Sequence, residues 1–456
     1  MSDELPPLPA DRVWVDRERI APYANDEAAR GSVPRAVCFP ESAAEVAEVL
    51  RWANRRRVPI IPRGAGSGLS GAAIASPDGV VLSLERLNKH LVVNAADLNV
   101  EADPGVITGD IRRAAEAQNL LYAPIPASVD FCTIGGNVAT NAGGLCAVKY
   151  GVTREHVLGL ECVLPTGEIM RTGGAFTKST AGYNLTQLIC GSEGTLAVVT
   201  RVILKLLPLP TARMTMLAPF DSLGALVDGV LAVLAGPVTP PTMELLPRAA
   251  VRCVLERHPD YSYPFRDATA SLLLEVDGRD PDVVASQLAA IAETLEKAGS
   301  GEARVAATPA QREELWTLRK QVRDSIANRG EYVEADCVVP RRHLAKLLEA
   351  AEAAANISGL EQISYGHAGD GNLHTYFLRP KDQDDVAWHD AGHHAMEFLI
   401  RTTASLGGTL SGEHGVGTLK RNFLPLVIDA AQLALMRRVK QAFDPNNILN
   451  PGKIFD

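Results

Sequence analysis

Two short stretches of the 456-residue chain concentrate side chains that can do chemistry. Tyr365-Gly-His-Ala-Gly-Asp-Gly-Asn-Leu-His374 supplies His367 and His374, and Ser411-Gly-Glu-His-Gly-Val-Gly417 supplies Glu413 and His414. Two imidazoles and a carboxylate are a common ligand set for a divalent transition metal that keeps a position open for substrate. Hydrogen-bonded structural histidines in a glycine-rich loop are the competing reading. His367 and His374 are seven apart, which on one regular strand puts them on opposite faces, so the glycines between them must bend the chain if both bind one ion. His414 then stands beside Glu413 as a general-base candidate, because an imidazole titrates near neutrality. Arg319, in LWTLRKQVR, is the candidate partner for a substrate carboxylate, with a solvated helix arginine as the alternative. His389 and His393 are spaced i, i+4 like the H-E-x-x-H pair, but the acid between them is Asp390, and Gly392 and His394 mark an exposed surface.

A second kind of signal is glycine. Pro62-Arg-Gly-Ala-Gly-Ser-Gly-Leu-Ser-Gly71 contains a literal G-x-G-x-x-G at Gly66, Gly68 and Gly71. A nicotinamide-dinucleotide fingerprint needs a helix directly after such a turn. Here Ala72 to Gly79 is too short, contains Pro77 and Asp78-Gly79, and leads into the apolar strand Val80 to Leu84, so that reading fails. Pro124 to Gly144 is a second run of small and turn-forming residues, expected to be a loop that makes no ordinary core. Without a Cβ in the way, main-chain N–H groups of two such loops can approach a phosphate, and two cradles suit a dinucleotide diphosphate, with tight turns around an edge strand as the competing reading.

These residues need a scaffold. Ser42-Ala-Ala-Glu45 reads as a capping box for a helix running to Arg55-Arg56-Arg57, followed by a strand Val58 to Ile61. The pattern then predicts a helix over Ile107 to Leu121 and a hairpin, Leu158 to Leu164 and Ile169 to Thr172, around Pro165-Thr-Gly-Glu168. A strand follows from Leu196, and Pro208-Leu-Pro210 marks a domain boundary. Beyond it, a strand (Ser271 to Val276) and helices (Pro281 to Lys297, His343 to Ala355, Trp388 to Leu406) indicate a second α+β domain.

With 46% hydrophobic residues the chain buries substantial cores in two or three domains. A net charge of −9 argues against nucleic acid as a partner. The start of the chain lacks an apolar targeting segment, and the longest apolar run, from Ser222, carries Asp228 and is shorter than the ~20 residues a bilayer span needs. A soluble, cytoplasmic protein is therefore expected. The seven cysteines show no C-x-x-C spacing, so no zinc finger or iron–sulfur centre is encoded.

Taken in order, PRGAGSGLSGAA, IGGNVATNAGG, VKYGVTREHVLGLECVLPTGE, AGYNLTQLICGSEGTLAVVT, GHAGDGNLH, SGEHGVG and FDPNNILNPGK resemble the FAD-dependent 2-hydroxyacid dehydrogenases of the vanillyl-alcohol oxidase superfamily, the group of glycolate oxidase FAD-linked subunits and D-lactate dehydrogenases. The resemblance implies an α+β chain: an N-terminal segment (1–34), a two-subdomain PCMH-type FAD-binding domain (35–210), an α+β cap (211–408) and a C-terminal segment returning to the FAD domain (409–456). It assigns FAD to Arg63, Gly64, Ala65, Gly66, Ser67, Gly68 and Ser70; to Pro126, Ser128, Thr133, Gly135, Gly136, Asn137, Thr140, Asn141, Gly143 and Gly144; and to Gly151, Val152, Glu193, Gly194, Val199 and Asn450. His367, His374 and Glu413 match the metal ligands, for Zn or Mn. Asn372 lies by the substrate, His414 is the base and Arg319 the carboxylate clamp.

Members with covalent flavin carry a histidine in the first glycine loop. Position 67 is Ser, so FAD is expected to be non-covalent. Where the D-2-hydroxyglutarate enzymes place a lysine, this chain has Glu334-Ala-Asp336, which lacks a cation for a second carboxylate and favours a monocarboxylate such as D-lactate or glycolate. The resemblance further implies hydride transfer to FAD and a separate electron acceptor: an iron–sulfur subunit, a cytochrome, an electron-transfer flavoprotein or a quinone. A homodimer or hetero-complex, with peripheral membrane association through a partner, is the expected setting. A D-2-hydroxyglutarate-type dehydrogenase and a non-redox flavoenzyme of the same fold are the alternatives.

Overall fold

The structure is a computed structural model that describes residues 5–455. It divides into two compact units, Met1–Gly144 with Gly151–Leu209 and Glu413–Asp456, and Leu145–Tyr150 with Pro210–Gly412. Both mix helices and sheet, an α+β organisation.

The first unit contains two main sheets. In one, β1 (Val13–Trp14), β2 (Ala36–Cys38), β3 (Ile60–Arg63) and β4 (Val80–Ser83) stand in the order β1-β2-β4-β3, with β2, β4 and β3 parallel. Parallel neighbours need a long crossover, usually a helix. Between β3 and β4 that crossover is the first glycine loop, with no helix in it. The helix Ala43–Arg56 buries Val46, Val49, Leu50 and Ala53 against this sheet. Ser42 Oγ caps it by accepting from the Glu45 N–H at 3.2 Å. The expected reciprocal half of the box is absent: the Glu45 carboxylate instead pairs with Arg12 at 2.6 Å and accepts from the Glu41 N–H at 2.7 Å. Arg12 engages both oxygens of the carboxylate through charge-assisted bonds, which hold it toward Arg12 and the Glu41 N–H.

The other sheet is antiparallel, in the order β5 (Leu91–Asn94), β6 (Asn99–Ala102), β10 (Val198–Lys205), β8 (Val157–Val163), β9 (Ile169–Gly173). The β8–β9 hairpin turns at Gly167 in a left-handed conformation. The helix expected over Ile107 to Leu121 is shorter, Thr108–Glu116. Asn119 adopts φ +57 and redirects the chain into the short strand β7 (Leu120–Leu121), paired with β11 (Leu207–Pro208). The second glycine run, expected to be loop throughout, contains the helix Ile134–Thr140. Thr133 caps it, and Ile134 and Val138 anchor it in the core of the antiparallel sheet; burial of two apolar side chains overrides the poor helix propensity of Gly135 and Gly136. The C-terminal segment returns to the parallel sheet: Ile448 and Leu449 join its core, and Ile60 bonds Ile448 O and Asn450 N–H.

The second unit is a seven-stranded sheet, in the order β15 (Arg304–Val305), β12 (Ala212–Phe220), β14 (Ala270–Gly278), β13 (Thr242–Pro247), β17 (Glu361–His367), β18 (Asn372–Leu378), β16 (Tyr332–Val338). Helices Leu344–Ser358 and Asp385–Ser405 pack together, the former against β17 and β18. Helices Arg248–Arg257, Pro309–Lys320 and Val322–Ala327 cover the other face around Trp316, Tyr365 and Tyr376. Leu145 to Tyr150 joins this unit through Asp277, which pairs with Lys149 at 2.5 Å and accepts from the Tyr150 hydroxyl at 2.7 Å. No helix among the described residues is long and apolar enough to cross a membrane.

Candidate functional site

In the first unit the two glycine runs, some seventy residues apart, meet. A Cβ on Gly64 would collide with Thr133 Oγ1 and lie 3.5 Å from the Gly136 nitrogen. Gly66 and Gly71 have φ +74 and +75, a region that glycine enters without penalty. Beneath the loop, Arg63 donates to the Asn25 carbonyl at 2.6 Å and lies near the Tyr23 ring. Its burial lowers its pKa, and the guanidinium braces the loop where a Gly66 Cβ would stand. Pro126 and Ser128 form the turn before Thr133, accepting from the Val129 and Cys132 N–H groups. Asn141, at φ +53, ends the following helix and accepts from the Arg154 N–H, while Asn137 and Thr140 are tied down to Thr108 and to the Gly136 carbonyl.

The remaining expected FAD residues close around this cradle unevenly. Glu193, buried at φ +51, accepts from the Val416 and Gly417 N–H groups at 2.7 and 2.8 Å. Burial raises its pKa against the opposing effect of those bonds and of Lys420 and Lys453. Asn450 Nδ2 donates to Ala72 O and Glu193 O, and Ser70 O accepts from Thr418 and Leu419. Gly143 lies against the Glu413 side chain, whose Oε1 is 3.9 Å from His414 Nε2. Gly151 has φ +81, and the Val152 N–H donates to Glu155. Val199 sits apart, its side chain in the core of the antiparallel sheet. Two buried oxygens in this region, Ser70 Oγ and Asn450 Oδ1, have no partner among the described residues. A cradle that excludes Cβ atoms and leaves buried polar atoms unpaired fits a polar ligand such as FAD.

The second unit builds its site from strand register. Glu244 on β13 pairs with His367 on β17, and His367 with Asn372 on β18. Tyr365, His374 and Asp336 make the next row, and Ile363, Tyr376 and Glu334 the one after. Cross-strand partners and residues two apart share a face, so these rows form one polar surface under the helices carrying Arg319 and Arg323. The glycines do bend the chain: β17 and β18 form a hairpin whose turn needs Gly371 at φ +73, and it returns His374 to the face of His367. Their Nε2 atoms stand 3.4 Å apart. Two nitrogens held about 2.0–2.1 Å from one tetrahedral ion stand roughly 3.3–3.4 Å apart, so the spacing suits a shared metal as well as an N–H···N hydrogen bond between the rings. Behind them, His367 Nδ1 is 2.7 Å from Glu244 Oε1, and His374 Nδ1 is 3.5 Å from Asp336 Oδ1.

Arg319, expected at a substrate carboxylate, here holds Glu244 Oε2 with Nε at 2.7 Å and Nη2 at 2.5 Å, its guanidinium 4.6 Å from the Tyr365 ring centroid. Burial opposes ionisation of Glu244, and Arg319 with His367 overcomes it, holding the carboxyl below the usual range. Asn372 spends its amide hydrogens on Asp336 Oδ1 and Cys337 O. The sequence pattern did not disclose Glu244, the hydrogen bonds that Asp336 accepts from Asn372 and Ser411, or Tyr376, which donates to Glu334 at 2.8 Å. A signal existed for Glu244: it is the one charged residue in the mostly apolar strand TMELLP. The decoy pair, His389 and His393, lies exposed on the helix Asp385–Ser405, with His393 Nδ1 4.0 Å from Glu397 Oε2.

Comparison with known proteins places these features. The pattern for the FAD binding domain matches residues 34–173, and that for FAD linked oxidases, C-terminal domain, matches residues 209–454. The chain is 37% identical to glycolate oxidase subunit GlcD of Bacillus subtilis (strain 168), over 93% of this chain and 89% of that protein. It is 34% identical to a D-lactate dehydrogenase of Anaerostipes hadrus, covering 100% of this chain and 97% of the relative. The structure of p-cresol methylhydroxylase with substrate bound superposes with a TM-score of 0.80 at 18% identity, over 98% of this chain and 94% of that one, a likeness of fold. A cradle shaped for FAD and matches running through both units identify the chain as a flavoprotein oxidoreductase of the FAD-linked oxidase family.

Proposed function

We propose that this flavoprotein oxidises a short D-2-hydroxy monocarboxylate such as D-lactate, or glycolate, to the 2-oxo acid, and passes the electrons to a separate acceptor. The observation that carries the reading is the imidazole pair: two Nε2 atoms 3.4 Å apart, each ring backed by a carboxylate. The names of the two relatives support the substrate class.

In this reading residues 35–210 and 409–456 hold non-covalent FAD, with the two glycine runs, Glu193, Gly194 and Asn450 around it. Residues 211–408 form the substrate cap. His367, His374 and Glu413 hold a divalent ion, Zn or Mn. When bound, the flavin supplies a two-electron acceptor for the Cα hydride and the ion a Lewis acid for the substrate hydroxyl, chemistry that side chains lack. His414 takes the hydroxyl proton on a ring nitrogen. Asn372, held by Asp336, orients the substrate. Arg319 is paired with Glu244, and Glu334 lies near Arg323, so neither cation stands apart from an acid to receive a second carboxylate, which supports a monocarboxylate over 2-hydroxyglutarate.

Anaerobic mixing with a panel of D and L 2-hydroxy acids tests this. Bleaching of the flavin by D-lactate or glycolate, with flavin released by acid precipitation, is the expected result. Flavin indifferent to every 2-hydroxy acid would sink the proposal, and flavin that stays with the precipitate would refute the non-covalent attachment read from Ser67.

A further inference from the structure

We infer that Glu244 is a positioning residue that fixes the tautomer of His367, keeping the proton on Nδ1 and leaving the Nε2 lone pair turned toward His374, and that Arg319 is what locks Glu244 in this pose. What this says about ion affinity rests on the proposed reading of His367 and His374 as ligands of one ion. What it says about the tautomer stands on geometry alone.

Glu244 is 0% exposed, and both of its oxygens are engaged. Oε1 lies 2.7 Å from His367 Nδ1, and Oε2 receives Nε and Nη2 of Arg319 at 2.7 and 2.5 Å. An ionised carboxylate can only accept, so the ring nitrogen that faces it carries hydrogen. A neutral imidazole with its proton on Nδ1 has its lone pair on Nε2, the atom 3.4 Å from the Nε2 of His374. Arg319 only donates. It therefore fixes which oxygen is left for His367, and its charge balances that of Glu244, so a neutral ring does not leave a bare buried anion. Carboxylate–histidine pairs behind metal ligands act in this way, orienting the ring and raising its basicity.

The lock has a consequence that a structural ion pair lacks. In Glu244→Gln the side chain keeps its shape but has one acceptor. Arg319 claims the amide oxygen, because it can use nothing else, and the amide NH2 then faces Nδ1. The ring must present a lone pair at Nδ1 and moves its proton to Nε2, where it blocks an ion. Adding Arg319→Met releases the amide to turn its oxygen back toward Nδ1.

The test uses the FAD-loaded protein, stripped with chelator and labelled with 15N-histidine, the His367 signal being assigned by its loss in His367→Gln. Expected are an Nδ1-protonated His367 in the parent, an Nε2-protonated ring in Glu244→Gln, and reversion in Glu244→Gln/Arg319→Met. Mn2+ titration should show affinity about 10–100-fold weaker in the single variant, with most of the loss regained in the double variant. An Nε2-protonated His367 in the parent, or a single variant with unchanged tautomer and affinity, overturns the proposal. If the parent binds neither Mn2+ nor Zn2+ while the tautomers switch as expected, the ion reading falls and the positioning role stands. Should the single variant fail to fold, the tautomer of the parent decides.

Discussion

The two units hold their chemistry by opposite means. In the first, recognition belongs to the main chain: Gly64, Gly66, Gly71 and Gly144 matter because they have no side chain, and a Cβ on Gly64, Gly71 or Gly144 would strike a neighbouring segment. In the second it belongs to side chains placed by register, with Glu244, His367, His374 and Asp336 set in rows on adjacent strands. The difference teaches where each site is fragile. The cradle fails when an atom is added, whereas the sheet face fails when an acceptor becomes a donor or a proton moves.

His414 is the sharpest way to break that division, because the proposed base is a side chain carried by the segment that returns to the cradle. His414→Ala should slow anaerobic flavin reduction by ~100-fold or more, the scale of a lost general base, while flavin content stays at the parent level. Rapid-mixing absorbance with D-lactate checks both. Unchanged reduction would remove His414 from the mechanism, and loss of flavin would show that this segment serves the cradle alone.

Asp336 tests the sheet face by itself. Its Oδ1 accepts from Asn372, and its Oδ2 from the Ser411 hydroxyl and the Gly412 N–H, each at 2.9 Å. Asp336→Asn sets an amide NH2 against one of these donors. A buried charged acceptor lost in this way should cost about 2–3 kcal/mol of stability, read as a lower urea midpoint. Asp336→Ala should be no milder, and an unchanged midpoint in both would show that the rows are held by packing.

The contrast between the units also explains what the sequence disclosed. Strand–turn–strand stretches with alternating apolar residues, such as β8 and β9 around Pro165-Thr-Gly-Glu168, announce themselves because their pattern is local. The lone pair His367 and His374 could be read as candidates, but that a hairpin sets them side by side depends on pairing between strands. Glu244 is 123 residues from His367, and no local pattern ties one to the other. The helix Ile134–Thr140 was hidden for a different reason: its glycines lower the propensity, and the burial of Ile134 and Val138 that rescues it is a tertiary property. Arg319 illustrates the same limit, since its type suggested an anion partner and only the fold reveals that the Glu244 carboxylate is one.

Gly144 probes the cradle in the complementary direction. It has φ +129, and a Cβ there would strike the Ile125 carbonyl oxygen and lie 3.0 Å from the Pro126 nitrogen. Backbone strain of this kind costs about 1–3 kcal/mol. Gly144→Ala should therefore weaken FAD binding by roughly 5–100-fold in fluorescence titration of the apoprotein, with His367 keeping its tautomer. Gly182, at φ +82 with nothing within 4 Å of where a Cβ would stand, is the control: Gly182→Ala should leave FAD affinity unaltered. Equal losses in both variants would mean that φ alone, rather than the close approach of the Ile125 carbonyl, limits the cradle.

The smallest effect expected is electrostatic. Lys453 donates to Ile74 O at 3.0 Å, and its burial lowers its pKa to about 8, with Arg421 adding to that and Asp26 and Glu193 opposing it. In the unfolded chain a lysine titrates near 10.4. Between about pH 8 and 10.4 the unfolded state thus binds more protons than the folded one, and stability must rise with pH across that window. The contribution is complete above the unfolded value and is lost as pH falls through the folded one. Lys453→Met removes the titrating group, so urea midpoints measured from pH 8 to 10 should rise in the parent relative to the variant. Parallel curves would place Lys453 in solvent, and with it would go the dry environment that the closed cradle implies.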